Sequence, residues 1–167
     1  MLYPSPVLSS IAPTHLFDGV NLEGVYFMKL KNQVVLRNLN GLNKSCQLLP
    51  KQYEIIKLCM SLINQLEDFK FNKVILYGSC ARGDARFGSD VDLCIVTNHK
   101  SSLAEVLNFK TNIYKNLPDC AEVDIKFIDE VEYSTSNTLF INDIRKDGVI
   151  LCQTIQQKTT QLTFCQN

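Results

Sequence analysis

A chain of 167 residues fits one domain and leaves little room for a second. Hydrophobic residues at 46% and charged residues at 20% exclude global disorder, while seventeen basic against seventeen acidic residues exclude a broad electrostatic grip on nucleic acid. The seven cysteines (Cys46, Cys59, Cys80, Cys94, Cys120, Cys152 and Cys165) are odd in number and lack CxxC spacing. That argues against a zinc site or disulfide framework and for a reducing, cytoplasmic setting.

The N-terminus carries no basic n-region and no long apolar run, so neither a signal peptide nor a membrane span is expected. Pro4, Pro6 and Pro13 keep residues 1–15 from forming long elements. Two β-prone runs follow, Val25 to Leu30 and Gln33 to Leu39, parted by Lys31-Asn32, and they read as a hairpin. Residues 1–49 are thus expected to be an N-terminal extension of illegible role. Pro50 suits the first turn of a helix. Beyond it Ile55, Ile56, Cys59, Leu62, Ile63, Leu66 and Phe69 recur at helical spacing, which predicts an amphipathic helix over 51–69.

Val74 to Tyr77 is a short apolar run ending at Gly78, as in a buried strand, and Asp90 to Val96 reads as a second strand. Ser102 with Glu105 forms a capping-box signature that opens a helix to about Leu117, just before Pro118. From Glu122 to Ile128 the chain alternates: Val123, Ile125 and Phe127 share one face of a strand, and Glu122, Asp124 and Lys126 the other. A last helix spans Leu139 to Lys146, followed by a short strand Val149 to Leu151. Residues 50–152 therefore form the expected domain, of mixed α+β class, and 153–167 a polar tail.

The chemistry concentrates in Leu76 to Val96. One strand ends in Gly78-Ser79, and Asp90 and Asp92 open the next. The link is too short for a comfortable parallel crossover, so the two strands are expected to be antiparallel, bringing the glycine beside the acids. Strand alternation places Asp90 and Asp92 on one face. Two ionised carboxylates that close repel unless a cation lies between them, and Mg²⁺ prefers such hard oxygen ligands. Gly78, without a Cβ, admits a phosphate close to the backbone, and Ser79 offers a hydroxyl donor. Arg82 either neutralises phosphate charge or pairs with Asp84. Tyr77 and Phe87 flank the site. His15 and His99 have no companions at ligand spacing.

This segment resembles the Gly-Ser-x10-Asp-x-Asp signature of the DNA polymerase beta-like nucleotidyltransferase superfamily, particularly its minimal (MNT-type) members. Gly78, Ser79, Ala81, Arg82, Gly83, Ser89, Asp90, Asp92 and Leu93 match, and Cys80 stands where an arginine is common. The resemblance covers about residues 51–151, in the order helix, strand, helix, strand, helix, strand, helix. It implies a nucleotidyltransferase fold, ATP as substrate and two Mg²⁺ ions held by Asp90, Asp92 and a third carboxylate. Asp124 is the best-placed third acid, with Glu122 an alternative on the same face.

The resemblance also implies an acceptor. The reading preferred is an antitoxin enzyme that moves AMP from ATP onto a tyrosine of a partner toxin of the HEPN class. Transfer to a small molecule such as an aminoglycoside, or a non-catalytic nucleotide-binding module of the same fold, are the alternatives.

Overall fold

The computed structural model describes residues 35–67 and 69–154. Val25 to Leu30 and the start of the Gln33 to Leu39 run lie outside them, as does most of the polar tail. The end of that run does form a strand, β1 (Arg37–Asn40), which pairs antiparallel with the downstream β2 (Ser45–Leu48). The β1–β2 hairpin packs with the residues that follow it. Leu48 and Cys46 enter the main core. Asn43 donates from Nδ2 to the carbonyl of Gly148 and accepts from the N–H of Ile150. The hairpin therefore shares the core expected of residues 50–152.

Helix α1 (Pro50–Asn64) opens on its proline and buries Gln52, Ile55, Ile56, Cys59 and Ile63. It stops five residues short of the predicted end, at a tightened turn in which the N–H groups of Gln65 and Leu66 bond to the carbonyls of Leu62 and Ile63. Leu66 and Phe69 still reach the core from beyond this turn, which is why the apolar period outruns the helix.

The main sheet has the order β5-β4-β3-β6, from β3 (Lys73–Tyr77), β4 (Val91–Thr97), β5 (Val123–Asp129) and β6 (Val149–Gln153). Strand β3 runs antiparallel to β4 and β6, as the short Ser79–Asp90 link requires, and β4 runs parallel to β5. The parallel step is bridged by α3 (Leu103–Tyr114), whose Ser102–Glu105 capping box forms in both directions. A one-turn helix α2 (Gly78–Arg82) follows β3, and α4 (Glu130–Thr135) and α5 (Leu139–Asp147) separate β5 from β6. Helix α4 buries no residue, so it leaves no apolar period in the sequence; only its Asp129 cap, accepting from the Glu132 N–H, marks it.

Pleating gives the sheet two unlike faces. Val74, Leu76, Leu93, Ile95 and Ile125 meet α1 and α3 in the larger core, closed by the rings of Phe69, Phe109 and Phe127, with Phe127 edge-on to the other two. Ile75, Cys94, Val96 and Ile128 meet Ile141 and Ile144 in a smaller one. Cys46, Cys59, Cys80 and Cys94 are buried free thiols, as their apolar settings predict. No helix among the described residues is long and apolar enough to cross a membrane.

Candidate active site

On the smaller-core face the side chains line up in rows across the strands. Register pairs Tyr77 with Asp92 and Asp92 with Asp124, so these three form the row at the C-terminal end of β3. The next row is Ile75, Cys94 and Lys126, and the third Lys73, Val96 and Ile128. Neighbouring strands stand roughly 4.8 Å apart, so the Asp92 and Asp124 carboxylates are close neighbours, both half-buried. Burial pushes the Asp92 carboxyl above its ordinary range, and the charges of Asp124 and Asp90 push it further; Lys126 and Arg82 oppose the shift.

Gly78 lies against this pair. Its φ of +68° belongs to the left-handed region, which suits glycine. A Cβ built there would fall onto the Asp92 carboxylate, Oδ2 first, with Cγ at 3.0 Å. Backbone and carboxylate thus touch where the sequence predicted a phosphate cradle beside an acid. Ser79 is half-buried at the start of α2 and its carbonyl accepts from the Asp84 N–H.

Asp90 stands one residue before β4 rather than within it, and its side chain is exposed. Glu122, the alternative third acid, likewise precedes β5 and is exposed, its carbonyl accepting from the Val91 N–H. The structure therefore sets Asp124, not Glu122, in the row with Asp92. Lys126, to which the sequence assigned no role, places Nζ 3.0 Å from Asp124 Oδ2. That ion pair follows from the alternation that put both on one face, since residues two apart on a strand are same-side neighbours. Among the described residues no group of three or more His, Cys, Asp or Glu side chains converges as a metal cage.

Arg82 Nε lies 3.2 Å from Asp84 Oδ2, with both side chains largely exposed. Cys80 is fully buried and its thiol reaches the Asp90 carbonyl at 3.3 Å. Burial, reinforced by the Asp92 charge, pushes that thiol up to about 12. Position 80 points into the core, where the thiol also hydrogen-bonds with the Ser79 side chain. Tyr77 packs edge-on against Phe140, with ring centroids 5.4 Å apart. Phe87 is 67% exposed on the loop before Asp90. His99 lies 3.8 Å from Glu105 on the surface, away from this row; His15 is outside the described residues. Two clefts, one lined by Gln65, Phe69 and Asn112 and one by Thr97, Lys110 and Lys126, lie to the side of Gly78 and Asp92.

Residues 59–157 match the family model for polymerase beta nucleotidyltransferases, which takes in both the Gly78-Ser79 turn and the Asp90, Asp92 and Asp124 carboxylates. The chain belongs to the polymerase beta nucleotidyltransferase family. The mixed sheet flanked by helices is the α+β arrangement expected of a member. Comparison with curated proteins finds no match. Several solved structures are similar in fold. A candidate nucleotidyltransferase from Sulfolobus solfataricus is 20% identical over 63% of this chain and 86% of its own, at a TM-score of 0.44. A toxin–antitoxin complex with AMP-PNP is 20% identical over 63% and 75%, at 0.42. A complex of a tri-AMPylated Shewanella oneidensis HEPN toxin with an MNT antitoxin is 18% identical over 63% and 71%, at 0.38.

Proposed function

We propose that this family member transfers AMP from ATP to a hydroxyl group with the help of Mg²⁺, and that the acceptor is a tyrosine of a HEPN-type partner protein. The observation that carries the transfer chemistry is the contact of Gly78 with Asp92, together with the register pairing of Asp92 with Asp124, at one end of adjacent strands. A glycine whose missing Cβ leaves room for the Asp92 carboxylate and two register-paired carboxylates meet there.

The donor set fits a hard divalent cation. Asp92 is raised by burial and by two flanking acids, and a cation among them relieves that repulsion. Asp90, Asp92 and Asp124 are the residues that would hold it. When bound, Mg²⁺ supplies charge neutralisation for the entering and leaving oxygens. The chain's own groups do the rest. Gly78 and Ser79 seat the triphosphate with its α-phosphorus toward the carboxylates. Asp124 accepts the proton of the acceptor hydroxyl, and Lys126 holds that carboxylate by its other oxygen. The acceptor oxygen bonds to the α-phosphorus as the bond to the β-phosphate breaks, and pyrophosphate departs.

The tyrosine acceptor rests on the motif Gly78-Ser79-Cys80-Ala81-Arg82-Gly83 followed by Ser89-Asp90-Val91-Asp92-Leu93, which is similar to that of MNT-type antitoxins. Incubation with ATP, Mg²⁺ and the product of the adjacent gene is expected to add one AMP to that product by intact mass. In the absence of an acceptor, Mg·ATP is expected to bind at least tenfold more tightly to the native protein than to Asp90→Asn/Asp92→Asn, on the order of 1.4 kcal/mol. Equal affinities would remove the metal-carboxylate reading. Transfer to an aminoglycoside and not to the protein would replace the acceptor and keep the chemistry.

A further inference from the structure

Gln52 sits in the apolar stripe of α1, three residues before Ile55 and four before Ile56, and is 1% exposed. A glutamine so placed costs desolvation that leucine or methionine would not, and its Oε1 is buried without a partner. Its amide nitrogen, however, donates to two carbonyls across the fold, those of Arg86 at 3.2 Å and Ser89 at 3.1 Å. Both acceptors lie on one side of the amide, which places the NH₂ group there and leaves the oxygen as the orphan.

Those carbonyls bracket one turn. The Arg86 N–H donates to Ser89 Oγ at 2.8 Å, and the Ser89 N–H to the Arg86 carbonyl at 3.0 Å. The turn is closed on itself and then clamped to α1. The Ser89 carbonyl belongs to the peptide plane that leads into Asp90, so holding it orients the Asp90 backbone. Beyond Asp90, the Cys80 thiol reaches its carbonyl, and the Val91 N–H bonds to Glu122. The backbone is held on both sides while the Asp90 side chain stands in solvent.

We propose that Gln52 is a positioning residue: it grips the 86–89 turn and thereby presets the Asp90 carboxylate for Mg²⁺ and nucleotide. This rests on the proposed metal-binding use of Asp90. Outer groups that fix a ligand's geometry raise metal affinity without touching the metal.

The test uses α,β-methylene-ATP, which cannot release pyrophosphate, titrated with Mg²⁺ and read by calorimetry beside a melting curve. Gln52→Met keeps the volume and removes both donors; it is expected to raise the Mg²⁺ concentration for half-maximal nucleotide binding by roughly 10–100-fold. Gln52→Glu keeps the shape and, protonated in this apolar setting, retains one donor, so it is expected to fall between Met and the native residue. It also stands in if the Met variant fails to fold. In an Asp90→Asn background Gln52→Met is expected to add nothing further, because the group it positions is gone. Unchanged Mg²⁺ dependence in folded Gln52→Met or Gln52→Glu overturns the proposal, as does full additivity with Asp90→Asn. If the native protein binds no nucleotide with Mg²⁺, the functional reading itself fails, whatever Gln52 does.

Discussion

On one face of the sheet Val74, Leu76, Leu93, Ile95 and Ile125 disappear beneath α1 and α3, and three phenylalanine rings close the layer. On the other, α4 and α5 cover the rows of Ile75, Cys94, Val96 and Ile128, but leave the row of Tyr77, Asp92 and Asp124 half-buried. The same strands supply both faces, so the difference lies in what covers them. A fully covered apolar face stabilises the fold. The half-covered face can hold like charges at close range, a poor arrangement for stability and a useful one for binding a cation.

If that division is right, core damage should be costlier on the covered face. Phe109 is 2% exposed and touches both Phe69 and Phe127. Phe109→Ala is expected to lower unfolding free energy by about 3–5 kcal/mol, and Ile144→Ala on the thinner face by an amount near the low end of about 2–5 kcal/mol. Denaturant melts of the two variants check this. An equal loss would mean the faces contribute alike.

The half-covered face should respond in rate instead. Asp124→Asn is expected to reduce AMP transfer by about 10²–10⁴-fold while leaving much of the ATP affinity, since a proton acceptor matters chiefly in the transition state. Glu122→Gln, on the exposed residue before β5, is expected to leave the rate near native. Transfer assays beside binding titrations decide between them; a reversal would move the third acid to Glu122.

Gly78→Val sharpens the contact between cradle and acid. Its side chain would meet the Asp92 carboxylate and its backbone would be forced into a left-handed conformation, which costs about 1–2 kcal/mol before any clash. Nucleotide binding is expected to be lost, whereas Ser79→Ala should cost about 0.5–3 kcal/mol of it through one hydroxyl hydrogen bond. Unaltered affinity in Gly78→Val would reduce Gly78-Ser79 to a turn.

The smallest effect is on stability against pH. Asp92 has its folded pKa raised, by burial first and then by Asp124 and Asp90. The folded state therefore holds this proton more tightly than the unfolded chain does. The stability it contributes is fully present below the unfolded carboxyl pKa, about 3.9, and is lost as pH rises through the higher folded value. At pH 7 the ionised Asp92 is a liability of about 1 kcal/mol or less for a half-exposed group. Asp92→Asn is thus expected to melt slightly higher than the native protein at pH 7, with the gap closing toward pH 4. A native protein that is the more stable of the two at pH 7 would contradict the uncompensated charge.

Much of this was readable from local pattern. Helical spacing marked α1, a reciprocal cap marked α3, and strict alternation put Asp124 and Lys126 on one face of β5. The short link after Ser79 required β3 and β4 to run antiparallel. Each of these is decided by residues close in the chain, where backbone geometry and side-chain periodicity are determined by the sequence itself. The tertiary structure decided the rest. Register between β4 and β5, joined through a helix, set Asp92 beside Asp124 and left Glu122 outside the row. Packing of α1 on the loop brought Gln52 to carbonyls 34 and 37 residues away. Pairing across long separations is chosen by which apolar surfaces bury together, and no local period records that choice.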